Sequence, residues 1–338
     1  MALSIATPAP RASAQLGRIA VVLPCYNEAT AIAHTVKEFQ DALPDATIYV
    51  IDNASTDTTS KVASEAGAIV IAEPLRGKGN AVRRAFAAID ADIYVMADGD
   101  GTYDASPAPQ LVAILRNEHL DMVVGKRRHI DEDAYRRGHQ FGNQLFCSLL
   151  KLLFGSNLTD IFSGYRVFTR RFVKSFPALS TGFEIETEMS VHATALRLSV
   201  KEVACDYRPR MTGSVSKLRT YRDGGRILMS MTRLFRHHRP LIFFGGLAAL
   251  CLTIAVILFL PILIAFLETG LVMRIPTVIL CTGLVLIAAL LVTSGLILDT
   301  TTKTQLEIRR LLYLNSGWEN TPDTLGERTI QALEARED

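Results

Sequence analysis

Two aspartates separated by one glycine, Asp98-Gly99-Asp100, form the group of residues in this sequence best suited to holding a metal ion. They follow the apolar run Ile93–Ala97, which predicts a buried strand. Mg²⁺ binds through one or two carboxylates together with substrate phosphates. An isolated pair of this kind is more often a solvated turn. This pair follows a predicted strand, as Asp52 does, and that position instead favours a metal site for a nucleotide diphosphate.

A second group of residues is suited to binding phosphate. The run Arg76-Gly77-Lys78-Gly79-Asn80 precedes a predicted helix. Its glycines let backbone N–H groups approach an anion, and Lys78 adds a positive charge. Such turns are frequent, so the pattern is informative only beside the other motifs. No GxGxxG follows the first strand and no GxxxxGK[ST] occurs, which argues against a dinucleotide fold and a P-loop enzyme.

The elements that must position these residues alternate between strands and helices. The predicted strands are Ile19–Leu23, Ile48–Ile51, Ala68–Ala72, Ile93–Ala97 and Met122–Gly125. One predicted helix begins near Thr30. The other two cover Thr58–Ala66 and about Asn80–Ile89. This alternation predicts an α/β fold with a mostly parallel, doubly wound sheet. Ligands bind beyond the carboxyl ends of such strands. The polar residues found there are Asn27, Glu28, Asp52, Asp98 and Asp100.

Two apolar runs, Leu241–Leu267 and Ile275–Leu298, are each long enough to cross a membrane as a helix. Their short connector predicts a hairpin. Cationic residues lie before the first run and after the second, whereas the connector has only Arg274. Positive residues favour the cytosolic side, which predicts a multi-pass inner-membrane protein with its N-terminal domain and both termini in the cytosol.

Composition limits the remaining possibilities. The 36 Lys and Arg residues nearly balance the 34 Asp and Glu residues, so no global charge indicates nucleic-acid binding. The five cysteines form no CxxC pair, which fits a reducing compartment. The predicted organisation is a disordered tail (1–17), a catalytic domain (18–217), a basic interface helix (218–240), two membrane helices (241–298) and a cytosolic helix and tail (299–338).

The ordered motifs resemble those of the family 2 glycosyltransferases with the GT-A fold, in the branch of dolichol-phosphate mannose synthase and the bacterial polyprenyl-phosphate glycosyltransferases. The resemblance covers about residues 18–240, and the two apolar runs resemble the tail of the bacterial lipid-phosphate glucosyltransferases. The motifs are Pro24-Cys25-Tyr26-Asn27-Glu28, Asp52-Asn53-Ala54-Ser55-Thr56-Asp57, Arg76-Gly77-Lys78-Gly79-Asn80, Asp98-Gly99-Asp100, Ser163-Gly164-Tyr165-Arg166 and Ser216-Lys217.

The resemblance implies a role for each matching residue. The nucleobase and ribose of the donor would contact Pro24, Tyr26, Glu28 and Asp52. Mg²⁺ or Mn²⁺ on the diphosphate would be held by Asp98 and Asp100, with Lys78 beside the donor phosphates. The predicted catalytic residues are Asp100, Asp160, Arg127 and Arg166. Asn53 departs from the family pattern, in which many members have a second aspartate, and this leaves the base preference open.

Two amphipathic segments favour a lipid phosphate as the acceptor. Tyr135–Phe154 begins with basic residues and continues with leucines, and Leu218–Arg239 has arginines on one face and apolar residues on the other. Basic amphipathic helices lie among lipid headgroups. The alternative is that the arginines only mark the cytosolic flank of a membrane helix. The residues predicted to bind the lipid phosphate are Arg136, Arg137, Ser216, Lys217, Arg219 and Arg222.

The sequence therefore predicts a metal-dependent, inverting transfer of a sugar from a nucleotide-sugar donor, UDP-sugar favoured over GDP-sugar, to a polyprenyl phosphate. The resemblance also suggests a homo-oligomer, with a tetramer expected. A glycosyltransferase acting on a saccharide or glycolipid hydroxyl, a nucleotidyltransferase and a non-catalytic membrane scaffold are the alternatives. Glu184, in Gly182–Glu188, is a further site candidate, although carboxylates at a helix start also stabilise the helix dipole.

Overall fold

The structure is a computed structural model of the 338-residue chain. It describes residues 17–129, 148, 151, 155, 158–209, 229, 232–233, 235–272 and 274–316. Most of the predicted amphipathic helix Tyr135–Phe154 and most of Leu218–Arg239 lie outside these residues, as do Arg136, Arg137, Ser216, Lys217, Arg219 and Arg222.

A single mixed sheet forms the centre of the N-terminal domain. Its order is β3-β2-β1-β4-β6-β5-β7 over the described ranges. The strands are β1 (Ile19–Cys25), β2 (Thr47–Asp52), β3 (Ile69–Ala72), β4 (Ile93–Met96), β5 (Met122–His129), β6 (Arg166–Thr169) and β7 (Val200–Tyr207). β1, β2, β3 and β4 run parallel, β7 is parallel to β5, and β6 is antiparallel to both β4 and β5.

Helices pack on both faces of the sheet. Those described are α1 (Ile32–Ala42), α2 (Thr59–Glu65), α3 (Lys78–Ala88), α4 (Ala108–Asn117), α5 (Arg170–Ser175), α6 (Ile185–Ala195), α7 (Pro240–Thr269) and α8 (Ile275–Asn315). Alternate residues of β1 enter different core layers, because successive side chains of a strand point to opposite faces. Val21 and Leu23 pack with α1 and α4, whereas Ala20 and Val22 pack with α3.

The prediction of a mostly parallel α/β sheet is confirmed, with all five predicted strands present. The sequence did not predict β6, a four-residue strand inserted antiparallel between β4 and β5. β6 begins with Arg166, which is completely buried, so its residues lack the uninterrupted apolar pattern of a central strand.

The two long helices α7 and α8 are each long and apolar enough to cross a membrane, by length and composition. They pack antiparallel: the Cys281 thiol lies 3.6 Å from the Ala255 carbonyl oxygen, and Gly295 lies against Leu241 and Phe244. Many of their large apolar side chains point outward and are exposed. An outward apolar surface of this size fits contact with lipid.

The C-terminal part of α8 continues past the predicted apolar run and contacts the N-terminal domain beside α5. The Tyr313 hydroxyl donates a hydrogen bond of 2.8 Å to Asp121, and the Arg171 guanidinium lies 4.8 Å from the centroid of the Tyr313 ring. Asp121 also accepts a hydrogen bond of 2.8 Å from Arg171. α8 thus connects the apolar hairpin directly to the N-terminal domain at Asp121 and Arg171.

Candidate functional site

The carboxyl ends of β1, β2 and β4 bring acidic side chains together around the buried Cys25 thiol. Burial raises the pKa of this thiol well above its ordinary value, and the nearby Glu28, Asp100, Asp52 and Asp98 raise it further. Because a thiolate here would face four carboxylates, Cys25 is a packing residue and not a nucleophile. The sequence-based expectation that polar residues gather at these strand ends matches this geometry.

The loops after β1 and β2 are held together by hydrogen bonds. Asn27, which adopts the left-handed conformation (φ 54°), donates its N–H to Ser55 Oγ at 3.0 Å and accepts the Thr56 N–H at 2.7 Å. The Glu28 N–H donates to Thr59 Oγ1 at 2.9 Å. Asp52 accepts a bond of 2.6 Å from Ser60. The predicted base and ribose contacts Pro24, Tyr26, Glu28 and Asp52 therefore lie on β1, on β2 and in the loop that these bonds join to β2.

Asn53 fixes the segment that leads to the predicted phosphate loop. Its side-chain amide donates to the Leu75 carbonyl at 2.6 Å, and its carbonyl oxygen accepts the Gly77 N–H at 2.6 Å. An aspartate could accept but could not donate, so the departure from the family pattern has a structural reason at this position.

Gly77 and Gly79 allow the start of α3 to approach a neighbouring loop closely. The Gly79 N–H donates to the Thr181 carbonyl at 3.1 Å, and a Cβ on either glycine would collide with the backbone oxygens of Ser180 or Thr181. Gly77 also has a φ of 129°, which side chains rarely adopt. These glycines place Lys78 at the first position of α3.

Lys78 bridges two carboxylates at the centre of the site. Its ammonium contacts Asp98 and lies 2.5 Å from Glu186 Oε1, with only 10% of its side chain exposed. Burial alone would lower the pKa of Lys78, but Asp98 and Glu186 outweigh burial and raise it. Lys78 is therefore a permanent positive charge beside the first aspartate of the Asp98-Gly99-Asp100 motif.

Glu186 is a site residue that the sequence did not single out. It lies in the first turn of α6, and burial raises the pKa of its carboxyl, an effect that Lys78 partly offsets. Its Oε2 atom is buried and has no hydrogen-bond partner among the described residues. Three glutamates start this helix, and their sequence spacing alone did not indicate which one faces the site.

The other two glutamates of α6 lie elsewhere. Glu188 accepts the N–H groups of Leu179 and Ser180 at 3.0 and 2.7 Å, and so supports the loop that contacts Gly79. Glu184, the candidate held in reserve, is the N-cap residue but makes no side-chain capping bond. It lines a cavity on the outer side of α6.

Asp98, Asp100 and Glu186 provide oxygen ligands of the type that Mg²⁺ and Mn²⁺ prefer. Asp100 is held in place by Thr102, whose hydroxyl donates to it at 2.6 Å. Across the described ranges no group of three His, Cys, Asp or Glu residues forms a complete metal site. A cation at Asp98 and Asp100 would therefore need further ligands from water or from a bound molecule.

Arg127 and Asp160 form a buried, two-pronged ion pair. The guanidinium donates to the two carboxylate oxygens at 2.8 and 2.7 Å, and the Arg127 N–H adds a third bond at 3.1 Å. Burial raises the pKa of Asp160, but the hydrogen bonds and charge of Arg127 outweigh burial and lower it. Asp160 is thus ionised and engaged, which suits positioning Arg127 better than acting as a base.

Arg166 lies behind this pair and is completely buried. It donates to the carbonyls of Ser163 and Ile161 at 2.9 and 2.8 Å, and to Ser190 Oγ at 3.1 Å. These contacts fix the segment 161–165 against α6. None of these contacts supports the predicted catalytic role of Arg166. They favour a role in positioning the segment 161–165.

Comparison with known proteins gives the arrangement a family context. A family model described as glycosyl transferase family 2 matches residues 20–176. The glycosyltransferase AglJ of Haloferax volcanii is 37% identical over 230 residues, which cover 68% of this chain and 75% of that protein. An undecaprenyl-phosphate mannosyltransferase of Micrococcus luteus is 26% identical over 213 residues, covering 58% of this chain and 86% of that protein.

A solved structure has the same architecture. Glucosyl-3-phosphoglycerate synthase from Mycobacterium tuberculosis, in complex with Mn²⁺ and UDP-glucose, is 25% identical with a TM-score of 0.53. The match covers 64% of this chain and 79% of that one.

Proposed function

The chain belongs to glycosyltransferase family 2, and on this premise we propose that it transfers a sugar from a UDP-sugar to a polyprenyl phosphate at a membrane surface. The observation that carries the proposal is the contact of Lys78 with Asp98, just after β4, and with Glu186 of α6, on a chain with two helices apolar enough to cross a membrane.

The donor end of the site follows the edge formed by β1, β2 and β4. Pro24, Tyr26, Glu28 and Asp52 would contact the uracil and ribose, and Lys78 would lie beside the diphosphate. A UDP-sugar is favoured because the sheet domain is similar to a synthase solved with UDP-glucose. Lys78 supports this placement because a buried ammonium with two carboxylate neighbours can exchange one of them for a phosphate.

A divalent cation would be held by Asp98 and Asp100, with Glu186 nearby. When bound, it would neutralise charge on the departing diphosphate. The similar synthase was solved with Mn²⁺, which supports Mg²⁺ or Mn²⁺ as the ion.

A phosphate acceptor reduces the need for a general base. A phosphate monoester has a second pKa of about 6 and is largely ionised at neutral pH, unlike a sugar hydroxyl. Asp160 is already held by Arg127. A phosphate acceptor would not require this carboxylate to act as a base. The relative from Micrococcus luteus acts on undecaprenyl phosphate, which supports this acceptor class.

The proposed reaction is a single displacement. An oxygen of the lipid phosphate attacks the anomeric carbon of the sugar, and the bond from that carbon to the diphosphate oxygen breaks. Lys78 stabilises negative charge on the leaving diphosphate, and Arg127, fixed by Asp160, orients an anionic group of donor or acceptor. One inversion at the anomeric carbon follows from one displacement.

The hairpin would place this chemistry at the cytosolic face of the inner membrane, in a homo-oligomer expected to be a tetramer. The cationic residues on both flanks of the apolar helices support that orientation. The apolar side chains Ile308, Leu311 and Leu314, exposed on the part of α8 beyond the predicted membrane run, support contact between copies.

The test is a donor screen with the purified full-length protein in detergent, undecaprenyl phosphate and Mg²⁺ or Mn²⁺. We expect glycosylated lipid from one UDP-sugar, and at least a hundredfold less from Asp100→Asn, because electrostatic groups at such sites contribute about 10²–10³ in rate. Asp45→Asn, an exposed aspartate between α1 and β2, is the matched control. Full turnover by Asp100→Asn would contradict the metal assignment.

A further inference from the structure

A cavity of about 600 Å³ lies on the opposite side of α6 from the catalytic cluster. Its α6 residues are Glu184, Glu188 and His192, spaced four residues apart and therefore on one helix face. Glu186, which contacts Lys78, is on the other face. The cavity is thus separate from the site proposed for the donor. Ser180 and Thr181 form the wall between the two.

The cavity has an unusual concentration of cationic side chains. Arg233 and Arg236 come from the helical segment before α7, and Arg309 comes from α8. In the described part of the chain, no carboxylate lies within 4 Å of these three guanidinium groups. Glu188 is the nearest acidic influence on Arg309, but its oxygens accept the N–H groups of Leu179 and Ser180.

A neighbouring imidazole is affected by the same positive charge. His237 lines the same cavity, and its pKa is lowered first by burial and then by the charges of Arg309 and Arg236. Three arginines against two glutamates leave one net positive charge even with every histidine neutral. An anion with several oxygen acceptors is the complement of such a lining.

Apolar side chains also line the cavity. Phe244 belongs to the first turns of α7, and Leu298 ends the apolar run of α8. Thr302, one turn further, donates a hydrogen bond of 2.9 Å to the His237 carbonyl and joins the two walls. Cationic and apolar side chains in one cavity, at the end of a membrane-length helix, match the headgroup and upper acyl chain of a lipid.

We propose that this cavity binds the phosphate headgroup of an anionic membrane phospholipid, with Arg236 and Arg309 as its principal contacts. The lipid would occupy the junction of α6, the segment before α7 and α8, and so hold the sheet domain at the membrane surface. The proposal does not depend on the identity of the acceptor, because binding is measured without turnover.

The experiment is native mass spectrometry of the full-length protein in detergent, titrated with phosphatidylglycerol or with phosphatidylcholine of the same acyl chains. We expect phosphatidylglycerol to bind preferentially, and its affinity to fall about tenfold or more in Arg236→Gln/Arg309→Gln, because two charge-assisted hydrogen bonds are lost. Arg310→Gln, the adjacent arginine outside the cavity, should bind as the wild type does. Matching thermal unfolding midpoints would show that all variants are folded.

Three results would overturn the proposal. The first is equal phosphatidylglycerol affinity in the wild type and the double variant. The second is binding of inorganic phosphate with no preference between the two phospholipids, which would indicate a site for free phosphate. The third is displacement of phosphatidylglycerol by equimolar undecaprenyl phosphate, which would assign the cavity to the acceptor.

Discussion

Lys78 connects the acidic residues of the catalytic cluster, and its contacts allow two explanations. It could serve only to neutralise the buried Glu186, or it could hold a positive charge for the donor diphosphate. Removing one partner of a buried ion pair costs about 3–5 kcal/mol because the other charge stays buried and unpaired. The effect of a Lys78 substitution on stability must therefore be measured separately from its effect on donor binding.

We expect Lys78→Met to destabilise the domain by about 3–5 kcal/mol and to weaken UDP-sugar binding. In Lys78→Met/Glu186→Gln the unpaired charge is removed, so stability should largely return. Donor affinity should remain at least tenfold lower, since a charge-assisted hydrogen bond to phosphate is lost. Unfolding in denaturant and calorimetric titration with UDP-glucose and Mn²⁺ measure the two effects.

Lys174→Met is the control, because Lys174 makes a partly exposed ion pair with Asp90 at 3.7 Å and one long hydrogen bond of 3.5 Å to the Ile89 carbonyl. Exposed pairs contribute about 0–1 kcal/mol, so stability should change little and donor binding should not change. Wild-type donor affinity in the double variant would contradict a phosphate-binding role for Lys78.

The sequence predicted part of this cluster for physical reasons. Asp98 and Asp100 follow a recognisable strand, and the glycines around Lys78 mark a phosphate loop. Glu186 could not be predicted, because Glu184, Glu186 and Glu188 have the same local context and only packing distinguishes their faces. The Arg127–Asp160 pair joins residues far apart in the chain, which no local pattern reveals.

At the scale of elements, α8 is both half of the apolar hairpin and a support for the sheet domain. Tyr313 contacts Asp121 through its hydroxyl and Arg171 through its ring. The sequence predicted a helix after the apolar run. Its docking against α5 could not be predicted, because a single tyrosine among leucines gives no periodic signal.

We expect Tyr313→Ala to increase amide hydrogen exchange in α5, Arg170–Ser175, because both contacts are lost. Tyr313→Phe keeps the ring contact, worth about 0.5–1 kcal/mol, and loses only the hydrogen bond to Asp121. Its exchange should therefore rise less. Hydrogen-exchange mass spectrometry in detergent measures both, and unchanged exchange in the alanine variant would mean that the contact does not stabilise α5.

At the scale of the whole molecule, the fold joins a sheet domain to two apolar helices through short, hydrogen-bonded contacts. The lengths of the apolar runs predicted the hairpin closely, because twenty consecutive apolar residues allow few alternatives. The position of the domain relative to the hairpin depends on side-chain contacts such as Tyr313 with Asp121, which sequence patterns do not encode. The acceptor proposal depends on this position, because a lipid phosphate lies at the membrane surface.

The most direct test of that proposal compares undecaprenyl phosphate with undecaprenol, which has the same chain and no phosphate. The full-length protein, a UDP-sugar donor and Mn²⁺ or Mg²⁺ are incubated with each lipid, and products are identified by mass spectrometry. We expect one hexose on undecaprenyl phosphate and none on undecaprenol. Equal glycosylation of undecaprenol, or transfer only to a saccharide hydroxyl, would contradict the proposed function.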